Sequence, residues 1–169
     1  MFARTHGDLH KIRDSIDGIK RLSDRVIGIG PLSIIGIDGL LALLNIPIVS
    51  TAYTVFAGLF LIIQAMRARV SPGTLILCLI ILLIDSGITS LEEIVRLIPF
   101  AGVVLAWAPG VVDFLFQGHL YAAHLIQKDM DKTHYVAGSE SAARQSGEHH
   151  EHLADMRATK GKKRLVYLG

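Results

Sequence analysis

Charge is distributed along this chain of 169 residues in a way that limits what it can fold into. Residues 26–127 hold eight of the 32 charged side chains, and the other 24 lie in the two ends. The middle therefore reads as lipid-embedded and the ends as water-facing. The longest uncharged run, 39–66, has 28 residues, against the roughly 20 predominantly apolar residues that a membrane-crossing helix needs. Shorter uncharged runs cover 70–84, 97–112 and 114–127, each bounded by charge.

Helix-breaking residues divide these runs. Asn45-Ile46-Pro47 predicts a turn over 45–50, because proline disfavours helical geometry in the residue before it and donates no amide bond. Spans are expected at 26–44 and 51–66. The first is made irregular by Gly28, Gly30, Pro31, Gly36 and Gly39 and is either packed on protein or re-entrant. Arg67-Ala68-Arg69-Val70-Ser71-Pro72-Gly73 reads as a loop. A third span is expected at 74–91, interrupted at Asp85-Ser86-Gly87, and Glu92-Glu93-Ile94-Val95-Arg96 as a polar connection. A fourth runs from 97 to 117, kinked at Pro109-Gly110, with a helix that continues toward Gln127.

Four spans place both ends and the Arg67/Arg69 loop on one side, and leave Arg96 as the one basic residue opposite. Lys and Arg in short loops mark the cytoplasmic face. The expected fold is thus an all-α integral membrane protein, with about four transmembrane or re-entrant helices in two helical hairpins and an N-terminal amphipathic helix. The expected address is the bacterial inner (plasma) membrane, multi-pass, with both termini cytoplasmic. Gly36-Ile37-Asp38-Gly39 and Ile84-Asp85-Ser86-Gly87 echo one another, as two related hairpins would.

Three regions follow: 1–25, a cytoplasmic amphipathic helix; 26–127, the membrane domain; and 128–169, a polar cytoplasmic tail. Mean hydropathy is +0.46, and the first 25 residues carry ten charges without the apolar stretch of a secretory signal. Each end has a net charge of +2, which suits anionic lipid head groups. No basic stripe with interleaved aromatics points to nucleic acid. Leu9, Ile12, Ile16, Ile19 and Val26 follow helical spacing. That face fits a bilayer surface, a partner subunit or this chain's own loops. The tail is rich in Gly, Ser, Glu, His and Lys and reads as disordered on composition, or as clamped by neighbouring subunits.

The candidate functional residues are polar groups within the apolar middle. Asp38, Asp85 and Asp113, with Gln64, Gln117 and His119, form a possible intramembrane polar site, since an acid in hydrocarbon faces the bundle interior and has partners. They serve either as a proton or cation path, or as braces for irregular helices; Asp38 and Asp85 both lie within two residues of a glycine. His119 and His124 are weak candidates for axial ligation of a haem or chlorophyll-type pigment. Five positions apart, they point to different helix faces and do not chelate one metal. Glu148-His149-His150-Glu151-His152 is a possible weak transition-metal site or a solvated run. Lys160-Gly161-Lys162-Lys163-Arg164 reads as a head-group or partner contact or as a solvated basic run. Cys78, the one cysteine, lies in Leu75-Ile76-Leu77-Cys78-Leu79-Ile80 and reads as a packed thiol. Catalytic residues, metal ligands and cofactors are not expected, because no phosphate loop, nucleophile elbow or zinc motif occurs.

Residues 22–127 resemble a small bacterial membrane family, domain of unknown function 4112. The resemblance lies in Leu22-Ser23-Asp24, Gly36-Ile37-Asp38-Gly39-Leu40, the aliphatic run into Pro47, Asp85, and Asp113-Phe114-Leu115-Phe116-Gln117-Gly118-His119. Ser50-Thr51 stands where that family has Gly-Asp, and His119, Tyr121 and Ala122 replace an Asn-x-Arg-Asn. The resemblance implies an architecture and no mechanism.

The function expected is a non-catalytic integral membrane protein, an accessory or structural subunit of a larger membrane protein complex. The alternative is a small proton or ion transporter that uses the intramembrane aspartates. Expected partners are membrane lipids and other membrane subunits, or the protein itself as a homo-oligomer.

Overall fold

The computed structural model describes residues 2–24, 49–96 and 118–169. The expected spans at 26–44 and 97–117 lie outside the described residues, as does most of the turn expected at 45–50.

Helix α1 (His6–Asp24) begins on a reciprocal cap. The Asp8 amide donates to Thr5 Oγ1 at 3.1 Å, and the Asp8 carboxylate accepts from the Thr5 amide at 3.1 Å. Two otherwise orphaned amides are satisfied together. Leu9, Ile12 and Ile16 are buried and Ile19 is half-buried, packed on α2 (Val49–Arg67) and α4 (Gly118–Lys132). Burying such a side chain stabilises by about 1.5–3 kcal/mol. Of the surfaces open to that face, this chain's own helices take it.

Between α2 and α3 (Pro72–Arg96) the turn is built residue by residue. The Val70 amide donates to Ala65 O at 3.1 Å and the Arg69 amide to Met66 O at 3.0 Å, the paired bonds of a Schellman ending. Arg69 occupies its left-handed position with φ 52°. Ser71 then caps α3, its Oγ accepting the Thr74 amide at 3.3 Å. Pro72 takes the first helical position, where a missing amide costs nothing.

Helix α3 runs unbroken through Asp85-Ser86-Gly87 and through Glu92 to Arg96, in place of the expected interruption and polar connection. The expected membrane architecture is corrected here as well. Among the described residues no helix is long and apolar enough to cross a membrane. The uninterrupted apolar run of α3, 75–84, has ten residues and rises about 15 Å, half of a roughly 30 Å hydrocarbon core. That of α2, 55–63, has nine and ends at Gln64. Helix α4 has 15 residues in all. Freedom from charge overstates apolarity: the 28-residue run contains Asn45, Ser50, Thr51, Thr54 and Gln64. The described residues thus do not support the integral membrane fold or the multi-pass inner-membrane address.

The tail is folded rather than disordered. Strand β1 (Thr133–Val136) continues from α4, and α5 (Glu140–Ser146) and α6 (Glu148–Ala158) lead to β2 (Arg164–Tyr167). The strands pair in parallel, from Thr133 with Arg164 to Val136 with Tyr167. Ser139 caps α5, its Oγ accepting the Ala142 amide at 3.2 Å, and Gly147 turns into α6 with φ 86°. Two four-residue strands are marginal alone. Leu168, just past β2, is fully buried in the core formed by α1 to α4.

Candidate functional site

Helices α2 and α3 bury the wrong residues for a water-facing pair. On α2 the inward positions are Ala57, Leu61, Gln64, Ala65 and Ala68, whereas Phe56 is 72% exposed, Leu59 56% and Ile63 50%. On α3, Cys78, Leu82 and Asp85 point inward, while Ile76 and Leu83 are 59% and 65% exposed. Small and polar side chains share the interior with Leu61 and Leu82, and large aliphatic ones also cover the outside. Monomeric proteins rarely expose a contiguous apolar surface of this kind unless it binds something.

The interior buries three of the residues singled out in the sequence and brings two of them together. Asp85 and His119 are buried, with Asp85 Oδ2 3.6 Å from His119 Nδ1. Asp85 Oδ1 accepts the Gly118 amide at 2.9 Å. A carboxylate at a helix amino end satisfies a free amide and the dipole together. Only glycine fits there: a Cβ on Gly118 would lie 2.6 Å from that of Asp85. Gln64, also buried, accepts from Arg67 Nη1 at 3.3 Å. Asp38, Asp113 and Gln117 lie outside the described residues. His124 is exposed, on a different face of α4 from His119. Among the described residues no group of three or more His, Cys, Asp or Glu side chains is placed to hold a metal ion.

Cys78 lies beside this interior, its thiol 3.6 Å from Ala122 O. Burial first, and the Asp129 charge second, push it up to about 11.

The densest polar cluster among the described residues carries no motif in the sequence. Asp129 accepts from the Ser71 amide and hydroxyl, both at 2.8 Å, and from Thr74 Oγ1 at 3.1 Å. Arg164 Nη2 donates to Asp129 at 3.0 Å and to Arg69 O at 2.7 Å. Tyr135 donates to Ala68 O at 2.8 Å. Arg69 in turn donates to the carbonyls of Tyr167 and Leu168. The α2–α3 turn, α4 and β2 are thus tied at one point. Composition alone groups Asp129 with the polar tail and makes Arg69 a mere marker of orientation.

Two grooves open beside this cluster. One, of about 590 Å3, is lined by Phe2, Met66, Arg69, Val70 and Leu75. The Phe2 ring centre lies 5.5 Å from the Arg69 guanidinium carbon. The other, of about 300 Å3, is polar and lies between α1 and the tail, with His6, His10, Arg13 and Lys162 among its lining residues.

In the tail, His149 and His152 each place Nδ1 3.0 Å from the Tyr167 hydroxyl. One phenolic proton serves one imidazole as acceptor, so the other imidazole donates. Within the Glu148–His152 motif, expected as a solvated run or a weak metal site, these two histidines tie α6 to β2, while Glu148, His150 and Glu151 are exposed.

Compared with protein-family models, with curated proteins and with solved structures, the chain finds no match.

Proposed function

We propose that the protein is a non-catalytic accessory or structural subunit of a larger assembly, docked through the outer face of α2 and α3. The observation that carries this reading is the exposed apolar face of those helices, with Phe56, Leu59, Ile63, Ile76 and Leu83 outward. Covering one such side chain stabilises by about 1.5–3 kcal/mol, so a partner gains more from this face than from any charged region of the surface. The braced turn and folded tail hold the face rigid, which lowers the ordering cost of docking.

The alternative of a proton or ion path through Asp38, Asp85 and Asp113 has less support. Asp85 is engaged as a brace on Gly118, and no helix among the described residues is long and apolar enough to cross a membrane.

Purification in mild detergent followed by native mass spectrometry tests the accessory role. A stoichiometric assembly is expected, released to single chains by Leu59→Glu with Leu83→Glu at unchanged helical content. A wild-type protein that runs only as free monomer would overturn it.

A further inference from the structure

We infer that Arg69 and the groove beside it bind one anionic phospholipid, the headgroup at the guanidinium and the acyl chains along the outer face of α2 and α3. The inference rests on reading that face as a docking surface, and it names a ligand there.

The groove, about 590 Å3, falls within the roughly 300–1,000 Å3 of small-ligand sites. Its lining holds one charged side chain, Arg69, and no acid among the described residues. Arg69 donates to two backbone carbonyls, which are neutral, and among the described residues no acid pairs with it. Both Nη atoms are held by these carbonyls and Nε is buried, so the guanidinium meets a phosphodiester through its charge and its remaining Nη hydrogens. The Phe2 ring, 60% exposed, lies against the cation. The backbone at Arg69 is left-handed, a position where glycine is favoured, and its side chain meets both the groove and the carbonyls of Tyr167 and Leu168.

Continuity with the apolar face identifies the rest of the ligand. Met66 lines the groove and also ends the exposed row Phe56, Leu59, Ile63, Met66 at helical spacing. From Phe56 to Met66 that row is about 15 Å long, half the thickness of a roughly 30 Å lipid hydrocarbon core and hence the reach of one acyl chain. A cation at one end of an apolar strip complements an anionic amphiphile.

The test uses the full chain in non-ionic detergent, titrated with phosphatidylglycerol and, separately, phosphatidylcholine of equal chain length, with adducts read by native mass spectrometry. One phosphatidylglycerol per chain is expected, held about fivefold more tightly than phosphatidylcholine, the effect of a single cation on an anionic head group. Arg69→Gln should abolish the preference yet leave phosphatidylcholine binding; Leu59→Asn should weaken both lipids. Phe2→Ala, which leaves the carbonyl ties of Arg69 in place, should reduce the preference with the fold intact. Equal binding of the two lipids by wild type, or an undiminished preference in Arg69→Gln and Phe2→Ala, would overturn the inference. A stoichiometric assembly that binds no lipid removes this inference and leaves the accessory role; a lipid-bound monomer does the reverse.

Discussion

Arg164, the first residue of the last strand, donates to the Asp129 carboxylate of α4 at 3.0 Å, while Asp129 also takes the amide and hydroxyl of Ser71. One carboxylate thereby joins the C-terminal strand, the longest-range element in sequence, to the α2–α3 turn.

Asp129→Ala should therefore be costly. It leaves Arg164 and the Ser71 amide without their acceptor at a site where the carboxylate is 14% exposed. The expected loss is about 2–4 kcal/mol, read as a lower urea midpoint. A change under about 0.5 kcal/mol would mean that water replaces the brace.

Two glycines should respond with opposite signs. Gly118→Ala puts a Cβ 2.6 Å from that of Asp85 and should destabilise by about 1–3 kcal/mol through overpacking. A Cβ added at Gly18, within α1, meets nothing within 4 Å, so Gly18→Ala should stabilise by about 0.5–1 kcal/mol. Thermal midpoints of the two variants decide the matter; equal shifts would contradict the close approach of α4 to Asp85.

The cap of α1 carries a pH signature. The Arg4 amide first, then the Thr5 hydroxyl and amide, hold Asp8 below its ordinary 3.8. A lowered folded value means that this stabilisation is present above the unfolded value and is lost as pH falls through the folded one. Asp8→Asn should flatten the acid limb of stability below pH 3.8. Thr5→Ala should cost about 1 kcal/mol at neutral pH. An acid limb identical in Asp8→Asn and wild type would sink the assignment.

Cys78 should resist alkylation. With its thiol pushed up to about 11 and fully enclosed, reaction with iodoacetamide at mildly alkaline pH should follow unfolding and speed up only near the urea midpoint. Fast labelling under native conditions would show that the α3–α4 contact opens readily.

Several elements are legible in the chain. The periodic aliphatics Leu9, Ile12 and Ile16 mark the buried face of α1, and Arg67 to Gly73 announces the turn with its capping serine and proline. The helices expected at 51–66 and 74–91 match the positions of α2 and α3, although α3 extends further. The crossing of a membrane does not follow, because an uncharged residue such as Asn45 or Gln64 is not an apolar one. The folded tail is hidden for another reason. Its strands are four residues long and are tied through Arg164, Tyr135 and Leu168 to distant helices and to the α2–α3 turn, contacts that composition does not register. Asp85 is legible as a buried acid, but its partner Gly118 only as a glycine.

The central claim is that the outer face of α2 and α3 is covered in the working protein. Single cysteines at Leu83→Cys and, on the exposed tail, Arg144→Cys, both with Cys78→Ser, can be labelled with a charged maleimide in the protein as isolated under mild conditions and again after stripping in strong detergent. Coverage predicts that Leu83→Cys is protected in the first state and released in the second, while Arg144→Cys reacts alike in both. Equal and rapid labelling of the two positions in the mildly isolated protein would contradict the account.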